Sequence, residues 1–330
     1  MSIICQSVIV AAPGAVRLES AELPPLAADE VLIRTTKTLI SPGTERALLL
    51  NLPGLAVQYP KATGYSHVGE IVEVGGAVAG LTVGDRVASR SRHASHIIAK
   101  ADNCHKLDAN INDEEAAFFQ LLAISLQAVR KTRLEIGEAA AVIGAGLVGL
   151  LALQVCRAAG ALPVITVDSD RSRLKRAEGL GADVTVPADQ TDNFAQSSGA
   201  QLQGAPVVIE ATGNPAALET ACQIAAFGGR LALLGSSRGA TESFDFYKQV
   251  HKRGLTLIGA HVSTTYRLAA APGWWTQREE QRAALRLIQN KRVAVQPMIT
   301  HRFSFQDIDA AYALLASWNP NAIGIILNWT

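Results

Sequence analysis

Cysteine is scarce in this chain of 330 residues, and its four copies, Cys5, Cys104, Cys156 and Cys222, stand far apart. That spacing gives neither the paired cysteines of a zinc site nor the framework of a disulfide-stapled domain, so the four read as free core thiols. Long apolar runs are missing too. Leu147–Val155 is far shorter than a bilayer span, and the N-terminal MSIICQSVIVAAPG has no basic segment ahead of an apolar core. The expectation is a cytoplasmic protein with no membrane partner. Charge of one sign is also lacking: 30 Lys and Arg against 29 Asp and Glu leave a formal net charge of +1, without a basic stripe. This excludes the electrostatic footprint of a nucleic-acid binder. What remains, at 330 residues and 48% hydrophobic, fits an ordinary soluble enzyme of two domains.

Against these absences stands Ala140-Ala-Val-Ile-Gly-Ala-Gly-Leu-Val-Gly149, an apolar run opening into a G-x-G-x-x-G turn formed by Gly144, Gly146 and Gly149. The first glycine permits the tight turn, and the second lets a pyrophosphate approach bare backbone. The third lets a helix, Leu147–Ala159, pack on the strand with the amides of Leu147 and Val148 facing the phosphates. A second apolar run, Pro163–Val167, ends in Asp168, 19 positions beyond Gly149. A carboxylate there accepts hydrogen bonds from an adenosine ribose and repels a 2′-phosphate, so NAD(H) is the expected cofactor rather than NADP.

From Cys5 to about Ala101 short apolar runs alternate with Pro, Gly and Asp turns, the texture of a small β-barrel. Helical spacing over Glu114–Val129 then leads into alternating strands and helices. Strands are expected at 139–143, 163–167, 183–186, Val207–Glu210, Arg230–Leu234 and Leu255–Ile258, which together make a doubly wound parallel sheet in an α/β fold. Helices at Arg278–Gln289 and Gln306–Leu315 and a strand at Gly324–Asn328 read as a return to the first domain. The expected divisions are residues 1–122, 123–290 and 291–330. Polar, Gln-rich Ala188–Gly204 is expected to form a surface helix and loop. In a doubly wound order the sixth strand lies at a sheet edge. A homodimer, or a dimer of dimers, joined near Leu255–Val262 is therefore expected.

Six segments in order resemble the medium-chain dehydrogenase/reductases: Ser41-Pro-Gly-Thr-Glu45, Gly64-Tyr-Ser-His-Val-Gly-Glu-Ile71, Val83-Gly-Asp-Arg-Val87, the glycine turn, Glu210-Ala-Thr-Gly-Asn-Pro215 and Gly228-Gly-Arg-Leu-Ala-Leu-Leu-Gly235. The resemblance implies a GroES-like barrel joined to a Rossmann domain. It also implies cofactor contacts at Thr212 and Gly235 and along the backbone of Ala260 and His261. Zinc-dependent members carry a Cys before Gly-Thr-Asp, a His and Glu in Gly-His-Glu, and a further Cys or acid before the cofactor domain. Here Ser41 or Pro42, Tyr65 with Ser66, and Gln120 stand at those places, and the four-cysteine lobe is missing, so no metal is expected. The Gly-Thr-Glu and Gly-Tyr-Ser sequences are similar to a subgroup that includes the bacteriochlorophyllide hydroxyethyl dehydrogenases.

Without zinc another group must polarise a carbonyl and move a proton. Thr44 matches the family position whose hydroxyl touches the substrate oxygen, and Ala47 replaces the next relay His. Tyr65 either supplies a phenol to the same oxygen or packs as an aromatic with its hydroxyl on backbone; to act as a base it needs a cationic neighbour. Ser41 and Gln120 complete the candidate set. His67 reads as a structural histidine and His93 and His96 as surface residues; for Glu45 the resemblance implies an acid that buttresses the site from behind, and a carboxylate near Arg46 or Arg90 needs no chemistry of its own. Arg173 either reaches the adenosine side of the cofactor or is a solvated helix residue, and Trp274–Trp275 either line a pocket or fill an interface. The expected activity is zinc-independent, NAD-linked interconversion of a secondary alcohol and a ketone on a polar metabolite such as a sugar or cyclitol. Two alternatives stand beside it: reduction of an activated C=C bond, and cofactor binding without turnover.

Overall fold

A computed structural model describes residues 3–194, 203–241, 243–264 and 275–330. It divides into two units, Met1–Gln120 with Val295–Thr330, and Leu121–Ala294. In chain order, the first unit opens with β1 (Ile4–Ala12), β2 (Ala15–Glu22), β3 (Glu30–Ile40), α1 (Pro42–Leu49), β4 (Lys61–Ala62), β5 (His67–Val74), β6 (Arg86–Ser89), β7 (His96–Lys100) and β8 (Cys104–Lys106). Two short helices follow, α2 (Asp113–Ala116) and α3 (Phe119–Lys131). The single helical pattern over Glu114–Val129 is thus interrupted: Asn112 caps α2 by accepting from the Glu115 amide at 2.8 Å, and at the break the Ala117 carbonyl accepts the Ser66 hydroxyl.

The second unit holds the sheet that the apolar runs anticipate. Its strands are β9 (Ala140–Ile143), β10 (Val164–Asp168), β11 (Val184–Pro187), β12 (Ala205–Glu210), β13 (Ala225–Leu233) and β14 (Thr256–Gly259), interleaved with α4 (Leu147–Ala158), α5 (Arg171–Gly179) and α6 (Ala217–Ile224) and followed by α7 (Gln277–Gln289). They lie parallel in the order β11-β10-β9-β12-β13-β14, with β14 at an edge. Covered on both faces, β9 and β10 are buried along their whole length, which is why they read as unbroken apolar runs rather than alternating ones. Ala188–Asn193 forms a 3-10 turn, while 195–202 and Trp274 lie outside the described residues.

The chain then returns to the first unit with β15 (Ile299–Ser304), α8 (Ile308–Ala316) and β16 (Gly324–Asn328). β16 pairs antiparallel with β3, Ile325 opposite Ile40 and Ile326 opposite Leu39. One sheet runs β15-β16-β3-β5-β6-β8 with β7 also on β3, and β2-β1-β4 forms a second. α8 buries Ile308, Ala311, Tyr312 and Leu315 at helical spacing against Val8, Ile40 and Ile325. At roughly 25 cal/mol per Å² of apolar area, this packing anchors the return segment to the barrel strands.

Candidate active site and cofactor-binding turn

Three hydroxyls meet at the start of α1. Ser41 is the residue before this helix, in extended conformation with Pro42 following, and its side chain makes no cap hydrogen bond. Its Oγ is therefore left for another donor, and the Tyr65 hydroxyl supplies it. The same phenol lies 3.4 Å from Thr44 Oγ1 on the exposed first turn of α1. Tyr65 is brought there by Gly64, whose φ of +86° turns the chain just ahead of β5. A methyl group at Gly64 would stand 2.6 Å from the His93 ring, so the turn needs glycine on two counts. The Tyr65 hydroxyl thus meets side chains rather than backbone. Burial pushes this phenol above its ordinary value of 10.0; its hydrogen bonds with Ser41 and Thr44 oppose that, the Glu45 charge adds to it and the Arg90 charge again opposes. The net direction is upward, so Tyr65 keeps its proton at neutral pH and stands as a donor.

Beneath the hydroxyls lies a buried carboxylate. Glu45, 1% exposed, accepts from the Ser41 amide at 2.7 Å, from Tyr312 Oη at 2.5 Å and from His93 Nε2 at 3.0 Å. Thr63 Oγ1 lies 2.6 Å from the same Tyr312 hydroxyl. Two expectations are corrected here. Glu45 is held by a histidine, a tyrosine and a backbone amide, not by Arg46 or Arg90. His93 is fully buried rather than on the surface, because its ring fills the space that Gly64 leaves. Nothing in the sequence pattern marks Tyr312 beyond the apolar helix that carries it, although a tyrosine on the buried stripe of such a helix needs a hydroxyl partner. His67 is structural: its ring nitrogens lie 2.9 Å from Thr35 Oγ1 and from Ser89 Oγ, and burial lowers its pKa to about 3. His96 is half-buried. Gln120, 1% exposed, lies in the first turn of α3, three residues beyond the Ala117 carbonyl that Ser66 holds.

In the second unit the glycine turn leaves β9 and enters α4. Gly144 has φ +94°, and a methyl group there would stand 2.8 Å from Thr212 Cγ2. A methyl at Gly149 would overlap the Gly144 carbonyl, whereas one at Gly146 would meet nothing within 4 Å. Gly146 therefore faces open space at an α4 N-terminus that has no side-chain cap and no acid in its first turn. Leu147 is buried and Val148 half-buried there. Asp168 closes the turn from β10, one oxygen accepting the Ala145 amide at 2.6 Å and the other the Asp170 amide at 2.8 Å. A carboxylate has about four lone-pair positions, so acceptor capacity remains for a diol. Asp170 caps α5 through the Ser172 and Arg173 amides, and Arg173 is half-buried.

Two further turns complete this end of the sheet. Glu210, at the end of β12 and pushed upward in pKa by burial, accepts the Thr212 amide at 2.7 Å. Its backbone carbonyl takes the Gly235 amide at 2.8 Å. Gln127 on α3 holds the Ala260 carbonyl, while the exposed His261 ring lies 2.7 Å from Ser263 Oγ. Trp275 is packed, with the Arg130 guanidinium 3.5 Å over its ring. All four cysteines are buried free thiols. Among the described residues no group of three or more His, Cys, Asp or Glu side chains is placed to hold a metal ion.

Residues 27–129 match the family model for the alcohol dehydrogenase GroES-like domain and residues 148–277 that for zinc-binding dehydrogenase. A sorbitol dehydrogenase of Halalkalibacterium halodurans is 28% identical over 82% of this chain and 84% of its own. An L-threonine 3-dehydrogenase of Photorhabdus laumondii is 28% identical over 93% and 94%. An Escherichia coli oxidoreductase/dehydrogenase of unknown specificity superposes with a TM-score of 0.86 at 22% identity, covering 99% of both chains. Two more solved structures share the fold. One, from Sinorhizobium meliloti, is bound to NADP (TM-score 0.82, 21% identity, 99% of both chains), and one, from Escherichia coli, is complexed with NADH (0.83, 19%, 98% and 99%). The chain belongs to the medium-chain dehydrogenase/reductase superfamily and is an oxidoreductase of that class, with a GroES-like domain and a Rossmann domain.

Proposed function

We propose that this enzyme interconverts a secondary alcohol and its ketone on a polar, polyol-like metabolite, with NAD as its cofactor and without zinc. The observation that carries the reading is that the Ser41 and Tyr65 hydroxyls, at two of the positions where zinc-type members carry ligands, meet each other and lie against Thr44 Oγ1. Three neutral hydroxyls are a poor donor set for zinc, which prefers thiolate, imidazole or carboxylate. They suit proton transfer instead. Bound at the glycine turn, a nicotinamide cofactor supplies or accepts the hydride. Gly146 leaves its pyrophosphate room, the uncapped α4 N-terminus favours its charge, and Asp168 offers acceptors to a ribose diol. Thr44 and Tyr65 hold the substrate oxygen, and the phenol proton goes to that oxygen as the carbonyl is reduced. Relatives named for sorbitol and L-threonine point to a hydroxylated substrate. The test is turnover of a polyol and ketone panel by metal-analysed protein, together with titration of both cofactors. Metal-free protein should turn over, and NADH should bind more than about tenfold more tightly than NADPH, a gap of about 1.4 kcal/mol. Stoichiometric zinc whose removal ends activity, or a preference for NADPH, would overturn it.

The edge position of β14 supports an assembly in the same terms. Leu257 and Ile258 on this strand are half-buried, and an open apolar edge of this kind is satisfied by pairing with a second copy. The reading is a homodimer, or a dimer of dimers, about a two-fold axis. Light scattering of the wild type should give at least a dimer, and Leu257→Pro, which removes a ladder donor, should weaken it. A monomer at all concentrations would refute this.

A further inference from the structure

The carboxylate of Glu45 has three donors, and two of them come from residues distant in sequence: His93 on the segment between β6 and β7, and Tyr312 on α8. An ionised carboxylate only accepts, so His93 must present its proton on Nε2. Its Nδ1 is buried and has no hydrogen-bond partner among the described residues. The His93 backbone is clamped as well, its amide donating to the Thr63 carbonyl at 2.8 Å and its carbonyl accepting from Val8 at 2.9 Å. A buried ring that leaves one nitrogen unsatisfied has been committed to the single bond that the other nitrogen makes. That bond ends on Glu45, whose Oε1 receives the Ser41 amide, and Ser41 Oγ receives the Tyr65 hydroxyl.

We propose that His93 and Tyr312 are positioning residues: they fix the Glu45 carboxylate, which holds the Ser41 turn and through it aims the Tyr65 hydroxyl. This rests on the reading of Tyr65 as the proton donor. Removing either donor leaves the buried carboxylate short of a partner, and Ser41 then loses its fixed place. The ionisable groups acting on the phenol are Glu45 from below and Arg90 from the exposed side, so a displaced Glu45 also changes how readily Tyr65 ionises. His67, the other ring in this layer, stays neutral in the working range.

The experiment compares His93→Phe, which keeps a ring without a donor, with His93→Gln, whose amide can still donate to Glu45, and with Tyr312→Phe, which deletes one hydroxyl. His93→Phe and Tyr312→Phe should lower kcat by about 10- to 100-fold with KM little changed, a loss of the size seen when an outer hydrogen-bond partner is removed. His93→Gln should restore most of the kcat. Ultraviolet titration of the phenolate, with Tyr65→Phe as the subtraction, needs no turnover. The Tyr65 transition should move in His93→Phe and return in His93→Gln. Should His93→Phe fail to fold, Tyr312→Phe carries the same test. Wild-type kcat and an unmoved Tyr65 transition in folded His93→Phe or Tyr312→Phe, with Tyr65→Phe inactive, would overturn the positioning role and leave Tyr65 as the donor. Full turnover by Tyr65→Phe would instead overturn the reading on which the proposal rests.

Discussion

Tyr65→Phe is expected to lower kcat for ketone reduction by about 10²- to 10⁴-fold, the range a positioned general acid contributes. The substitution deletes only the oxygen that meets Ser41 Oγ and Thr44 Oγ1, so folding and NADH binding should be unchanged and the loss should appear in kcat rather than in KM for cofactor. Thr44→Val should cost less, because it removes a longer contact and leaves the phenol in place. The pH profile carries the sign. Burial raises the Tyr65 pKa above 10.0, so the proton-donating form is present at all lower pH values and is lost only as pH rises through the raised value. Reduction should therefore stay flat from neutral pH to about 10, with its alkaline limb beyond, and Tyr65→Phe should lack that limb. A limb near pH 7 in the wild type would assign the proton to some other group.

The cofactor unit was largely legible in the sequence because its physics is local. β9, β10 and β12 are buried parallel strands, so each reads as a short apolar run, and the G-x-G-x-x-G spacing states a backbone demand that the positive φ of Gly144 meets. The hydroxyl site was legible only through resemblance: nothing in the spacing of Ser41, Thr44 and Tyr65 shows that a turn at Gly64 brings the phenol onto Ser41. The layer beneath was not legible. Tyr312 reaches Glu45 across 267 positions, through the pairing of β16 with β3 that docks α8. His93, set beside Arg90 and Arg92, carries the surroundings of a surface residue, and its burial follows from the missing side chain of Gly64. The break between α2 and α3 was hidden for a similar reason, since the Ser66 hydroxyl that donates to the Ala117 carbonyl belongs to a distant segment, just ahead of β5. Periodicity reports which face is apolar; it does not report which polar groups a fold brings together across long loops.

Two glycines of the same turn should fail in different ways. In Gly149→Ala the new methyl group overlaps the Gly144 carbonyl oxygen and stands 2.9 Å from its carbon, and both are backbone atoms that no rotamer change can move aside. Either α4 shifts away from β9 or the turn opens, and overpacking of this kind costs about 1–3 kcal/mol or more. For a unit of this size that is a fall in Tm of about 2–12 °C, with NADH binding weakened more than about tenfold because the turn itself is displaced. Gly146→Ala meets nothing within 4 Å, and its φ of −77° is open to any residue, so its Tm should match the wild type. Its methyl group nevertheless stands at the open mouth of the turn, where the pyrophosphate must approach backbone, so NADH affinity should fall as well. Thermal melting and NADH titration of the two variants side by side separate the roles. A Gly146→Ala protein that binds NADH as well as the wild type would mean that the cofactor does not lie on this turn. A Gly149→Ala protein with wild-type Tm would mean that α4 does not pack on β9 at this point.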